Sequence, residues 1–288
     1  MNSSEHNIKS YRKPRSAVAP RNIVARTRGK TRGPITRLVS PSDLGQLIKP
    51  FVFLDRGVLQ PTDNTPMGMH PHSGIATLSL PITGAMGYED TSGKAGIVNS
   101  GGLEWMKAGN GVWHDGYAAG TELLQCYQLW LALGDAEENA APESQYIAAE
   151  DVPIVGPVSV LLGKYQHAHS PIHSASGINY FFVQLNDGEV WTYEPEASQT
   201  VAWLSVFNGE LTAPEVIAKG EMVVFEESSS SITLQANGDS SFVFGAAIKH
   251  PHDLVLGYYS VHTSQKTLER GEQEIERIGH QLRLMDRI

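Results

Sequence analysis

Short apolar runs rich in branched and aromatic residues follow one another at close intervals, cut apart by turn residues, and this pattern limits the chain to an all-β fold. The runs lie at 75–80, 123–133, 158–162, 178–185, 190–193, 201–207, 222–225, 232–234 and 242–248. Asp-Thr-Ser-Gly at 90–93, Asn-Asp-Gly at 186–188, Asn208-Gly209 and Asn237-Gly238 supply turn chemistry between them. Strands spaced in this way without helices between them predict antiparallel sandwiches or barrels rather than a parallel βαβ sheet. Only two helices are expected. A short one follows Ser42, its expected N-cap. A longer one runs from about 264 to 282, with Leu268, Ile275, Ile278 and Leu282 on one stripe and Gly271 weakening its middle.

A chain of 288 residues is long enough for two such units. The acidic, proline-bearing stretch 136–157 reads as the linker between a first barrel at 22–135 and a second unit at 158–288 that includes the final helix. Residues 1–21 read as a basic flexible arm. Charge is unevenly shared: residues 1–40 hold ten Lys or Arg against Glu5 alone, and the remainder carries about −18, for a net −9. An acidic body repels phosphate backbones, so nucleic acid is not an expected partner. No run approaches 18 apolar residues, so no membrane-spanning helix is predicted. The arm has no apolar core of a secretory signal, and the cytoplasm is the expected address. The one cysteine, Cys126, excludes a disulfide framework or a CxxC site within the chain and reads as a small buried hydrophobe.

Histidines carry the chemistry. His70-Pro71-His72 precedes a strand, and residues two apart in an extended chain point to the same side. His114 follows in EWMKAGNGVWHDG. Three neutral imidazoles converging inside a barrel suit Fe, Zn, Ni or Cu, whereas taken singly each is an ordinary hydrogen-bonding residue. His167, His169 and His173 read as a solvated loop. His250-Pro251-His252 repeats the first motif, but no third histidine follows in a matching context. Met67 and Met69 are placed at the pocket mouth, where soft side chains suit an apolar ligand. The five tryptophans read as core, with Trp113 facing away from the site.

The stretch HPHSGIATLSLPITGAMGYEDTSGKAGIVNSGGLEWMKAGNGVWHDG resembles the pirin family, whose hallmarks are HPHRGFET-type and QWMTAGxGxxHSE-type motifs. QLWL at 128–131 and the closing segment HPHDLVLGYYSVHTSQKTLERGEQEI are also similar to that family. The resemblance implies two stacked cupin barrels, a bicupin of jelly-roll type, with one divalent metal in the first barrel. It implies Fe(II), with Zn, Ni, Cu or Mn as alternatives, held by His70, His72 and His114. It also implies a glutamate ligand two residues after the third histidine, but this chain has Gly116 there. Ala76 and Ser73 likewise stand where the family has glutamate and arginine. Glu104, where the family has glutamine, and Glu122 are the candidate substitute carboxylates.

Three imidazoles without a carboxylate leave a divalent ion at +2, which favours Fe(II) over Fe(III) and weakens binding. Two functions follow from the resemblance. One is an Fe(II)-dependent, quercetin 2,3-dioxygenase-type enzyme acting on a small aromatic substrate, here without the family's general base. The other is a non-catalytic regulator whose metal state tunes a protein partner.

Overall fold

The computed structural model describes residues 20–61, 68–174, 177–196 and 198–288, and builds two barrels from the expected strands. In each, a seven-stranded antiparallel sheet faces a four-stranded one. The first large sheet runs in the order Glu143–Ile147, Leu103–Lys107, Ile75–Thr83, Leu124–Ala132, Phe51–Leu59, Ile35–Val39 and Lys30–Arg32. The small sheet facing it consists of His70–His72, Val112–Ala119, Ala85–Asp90 and Ala95–Asn99. The second barrel repeats the plan, with Gln199–Asn208 and Ser240–Ile248 at the centre of its large sheet. This is the cupin fold, doubled as a bicupin.

Strand patterning explains the layers. Ile232–Ala236 and Val190–Tyr193 alternate buried and exposed residues, and Trp191 pairs with Leu234 on the inward face. Central strands are buried on both faces: Phe51 to Asp55 and Ile75 to Pro81 meet a barrel interior on one side and the other barrel on the opposite side. Phe51 meets Trp203 edge-on at 5.4 Å, and the Tyr127 and Ser205 hydroxyls lie 3.0 Å apart across the junction. Each large side chain fully buried there stabilises the fold by about 1.5–3 kcal/mol.

The two interiors differ. Phe181, Val183, Trp191, Leu204, Phe242 and Phe244 fill the second barrel with apolar side chains. The first keeps buried polar groups, among them His72, Thr77, Ser79, Glu104 and His114. A polar site therefore sits in the first barrel.

Several segments lie elsewhere than the sequence suggests. The strand Ile23–Thr27, assigned to the first barrel, pairs with Met222–Phe225 of the second. Arg21 is buried beside it, donating to the Glu226 carbonyl at 2.6 Å, and so is not part of a free arm. Residues 1–19 of the expected arm lie outside the described residues. Within the expected linker, Glu143–Ile147 adds an edge strand to the first barrel, because its buried Ser144 and half-buried Tyr146 bind Asp90 of the small sheet. The short helix Leu44–Ile48 is capped by the Asp43 side chain and not by Ser42. The final helix, Gln265–Leu284, has Ser264 as N-cap and buries Leu268, Gly271, Ile275, Gly279 and Leu282. Gly271 is a close approach, since a Cβ there would lie 2.4 Å from the Ser73 Oγ. Ile278, expected on the stripe, is half-buried. The helix packs on the first barrel, where the Trp113 indole N–H donates to the Ile275 carbonyl at 2.8 Å. Among the described residues no helix is long and apolar enough to cross a membrane.

Candidate metal centre

The short strand His70–His72 pairs antiparallel with Val112–Ala119, setting His114 opposite His70 and Val112 opposite His72. The sheet register alone thus brings three imidazoles to one side of the ladder. His114 Nε2 lies 3.1 Å from His72 Nε2 and 3.1 Å from His70 Nε2. His72 and His114 are buried and His70 is half-buried. Backbone carbonyls set two of the tautomers: His70 Nδ1–H donates to Gly68 O at 2.8 Å, and His72 Nδ1–H donates to Tyr259 O at 2.9 Å. Their Nε2 lone pairs are thereby left free, and both face the Nε2 of His114.

Lone pairs at that separation repel unless a proton or a metal cation lies between them. Two metal–nitrogen bonds of about 2.1 Å place their nitrogens about 3.0 Å apart at a right angle and about 3.4 Å apart at the tetrahedral angle. The observed 3.1 Å falls in that interval. Three neutral nitrogen donors of borderline softness fit a first-row divalent ion.

Burial, reinforced by the neighbouring His114, lowers His70 to about 4 and holds His72 well below the ordinary imidazole value. An unfolded chain protonates these rings near 6.5, so between about 6.5 and 4 it takes up protons that the folded state refuses. Stability of the metal-free protein is then fully expressed above about 6.5 and falls as pH drops through that window. His70 alone should cost about 2 kcal/mol between pH 7 and pH 5. Urea unfolding of the metal-free protein at those two pH values checks this, and equal stabilities would contradict neutral burial of the rings.

The remaining candidates divide. Glu104, on Leu103–Lys107, is buried and reaches the centre from behind: its Oε1 lies 3.8 Å from Nδ1 of His114, the nitrogen facing away from the cluster. It therefore does not stand where a substitute ligand would. Glu122 is exposed in the turn before Leu124–Ala132 and is not part of the cluster, because that turn solvates its side chain. Gly116 lines the same interior cavity as His114 and Glu104, a space of about 40 Å³, and a Cβ there would find no atom nearer than 4.0 Å. Asp115 is also outside the cluster, as strand alternation requires. Cys126 lines the cavity, and burial pushes its thiol up to about 12, so it stays protonated.

Met69 is half-buried and does not line this cavity, where Met86 does; Met67 lies outside the described residues. His167, His169 and His173 are exposed and form no metal-holding group among the described residues. His250 is a tie between segments, its Nε2 lying 3.1 Å from the Leu133 carbonyl oxygen.

Sequence reasoning missed the support around the centre. Tyr259, which holds His72, sits in a left-handed conformation (φ 52°) in the hairpin formed by Val255–Gly257 and Ser260–His262. That hairpin is fastened by Ser73 Oγ, 2.9 Å from both Ser260 Oγ and His262 Nε2, and by Glu138, whose Oε2 lies 3.2 Å from His262 Nδ1. Trp130 packs edge-on against His72, ring centres 4.7 Å apart. The one signal for these partners was Ser73, small and neutral where an arginine was expected, leaving space for the incoming hairpin.

Residues 32–131 match the pirin family model. A Pseudomonas aeruginosa protein provisionally named a quercetin 2,3-dioxygenase is 26% identical over 266 residues, covering 84% of this chain and 90% of the relative. Human pirin is 31% identical over 124 residues, 41% of this chain and 43% of the relative. Among solved structures, a quercetin 2,3-dioxygenase from Acinetobacter baumannii superposes with a TM-score of 0.82 at 22% identity, over 90% of this chain and 98% of that one, which shows the fold. A bacterial pirin from Escherichia coli in complex with nickel(II) gives 0.64 at 18% identity, over 81% and 99%. The chain thus carries a segment that matches the pirin family model, and that segment holds all three histidines.

Proposed function

We propose that the chain is a metal-dependent pirin in which His70, His72 and His114 hold one divalent ion, Fe(II), and that its chemistry is of the quercetin 2,3-dioxygenase class. The observation that carries this reading is the convergence of three Nε2 atoms at 3.1 Å contacts, with two tautomers fixed by Gly68 and Tyr259 carbonyls. The ion would supply a Lewis acid and, as Fe(II), a partner for dioxygen. The protein's own share is to keep the rings neutral, fix their orientation and shield them from water. A groove of about 360 Å³ shares Trp130 and Tyr259 with the surroundings of His72, and its exposed Tyr258 and Tyr259 are the rings it offers an aromatic substrate.

The second reading is a non-catalytic regulator that binds a protein partner, and two observations favour it. Position 116 offers no carboxylate to take a substrate proton. The interior cavity of about 40 Å³ is far below the roughly 300–1,000 Å³ of an ordinary small-molecule pocket. The two readings part in one experiment: measure bound metal in the purified protein, load it with Fe(II), and follow oxygen uptake with quercetin. Turnover supports the enzyme; one ion per chain without turnover supports the regulator; failure to bind metal overturns both.

Gly116→Glu should tighten metal binding about tenfold or more, since residue 116 shares a strand face with His114 and has room for a Cβ. Competition titration with a chelator checks it. Unchanged affinity would mean that position 116 does not look onto the ion.

A further inference from the structure

Two buried polar groups in the first barrel lie close together, and the metal reading uses neither: the outward nitrogen of the His114 ring, Nδ1, and the Glu104 carboxylate. His114 Nδ1 is buried and has no hydrogen-bond partner among the described residues. With a metal on Nε2 the neutral ring would carry its proton on this Nδ1, making the buried atom a donor that needs an acceptor. The nearest carboxylate oxygen is Glu104 Oε1, at 3.8 Å. Glu104 is itself buried, 3% exposed, and no hydrogen bond to its carboxylate is found among the described residues. Its strand neighbours in register are Ser79 and Tyr146, and neither donates to it. A buried N–H without an acceptor costs stability, and the Glu104 carboxylate is the acceptor nearest to it. The small cavity beside them leaves the carboxylate room to move.

We propose that Glu104 is the counter-charge of the metal centre, acting through His114 as a positioning residue rather than as a ligand. An ion on Nε2 draws electron density from the ring and strengthens Nδ1–H as a donor; the Glu104 carboxylate then closes onto it. This fixes the tautomer that presents a lone pair to the metal, raises the ring's donor strength and lowers the charge of the assembly by one. The negative charge absent from position 116 is thus supplied one ring further out. The inference rests on the metal reading above and assigns to Glu104 a role that reading does not need.

Glu104→Gln keeps the size and an acceptor oxygen but removes the charge, whereas Glu104→Asp keeps the charge on a shorter stem. Co(II) titration of the metal-free full-length proteins at one fixed pH, followed by its visible absorption and by competition with a chelator, separates the two properties. The glutamine variant should bind Co(II) about 10–100-fold more weakly than the original chain, with an altered Co(II) spectrum, and the aspartate variant should lie between them. Far-UV circular dichroism and the melting temperature of the metal-free forms report folding independently. Equal Co(II) affinity in the glutamine variant, or an aspartate variant weaker than it, would overturn the role of Glu104 while leaving the three-histidine centre intact. Absence of Co(II) binding by the unaltered protein would overturn the centre itself.

Discussion

Replacing His114 by alanine should lower the affinity for a divalent ion by a few hundredfold and abolish the rise in melting temperature that the ion produces. His114 is the middle member of the cluster, its Nε2 3.1 Å from each of the other two. Removing it leaves His70 and His72 without the nitrogen that both of them face. Apparent binding free energies of about 10–16 kcal/mol for four-ligand sites amount to about 2.5–4 kcal/mol per ligand, or roughly a hundredfold to several hundredfold in affinity. The fold should survive, because the strand Val112–Ala119 is held by pairing on both sides and by Trp113 against the final helix. Equilibrium dialysis against Co(II) or Fe(II), with calorimetry in the presence and absence of metal, measures both effects. A variant that still bound one ion per chain at the original affinity would show that the three rings are a hydrogen-bonding cluster and not a ligand set.

Much of this centre is legible in the sequence, because its geometry is local. Two histidines flanking a proline in a three-residue strand share a side by strand periodicity, and the register of one antiparallel pair brings the third to them. The strands of the second barrel were legible for a similar reason: Val158–Leu162, Ile178–Leu185 and Val190–Tyr193 are continuous or alternating apolar runs bounded by turn residues. A strand such as Ala85–Asp90 is not, since glycine and acid interrupt its pattern where the barrel turns polar to build the site. The contacts made over long sequence distance were not legible either. Ile23–Thr27 is short and half-exposed, and nothing in its residues names Met222–Phe225 as its partner. By residue type alone Glu104 reads as a stand-in ligand; which ring nitrogen it approaches depends on the stagger of two sheets, which no spacing encodes.

The largest loss of stability from a single substitution outside the hydrophobic core should come from Glu138→Ala, a residue that no motif singles out. Glu138 is fully buried in the turn before Glu143–Ile147, and its carboxylate accepts from the Thr263 N–H at 2.6 Å and from the Thr263 hydroxyl at 2.7 Å, with His262 Nδ1 at 3.2 Å. Alanine leaves those donors without an acceptor in a site closed to water, a change that costs about 3–5 kcal/mol. For a chain of this size the melting temperature should drop by about 10 °C. The consequence reaches the metal centre, because the anchored hairpin is the one that aims the Tyr259 carbonyl at His72 Nδ1. Once the anchor is lost, His72 is no longer held to one tautomer, and the affinity for a divalent ion should fall about tenfold as well. Glu138→Gln, which keeps one acceptor oxygen, should lose less on both counts. Melting curves and Co(II) titrations of the two variants decide it: a large fall in stability with unaltered metal affinity would sever the hairpin from the centre, leaving Glu138 a purely architectural tie between the C-terminal segment and the first barrel.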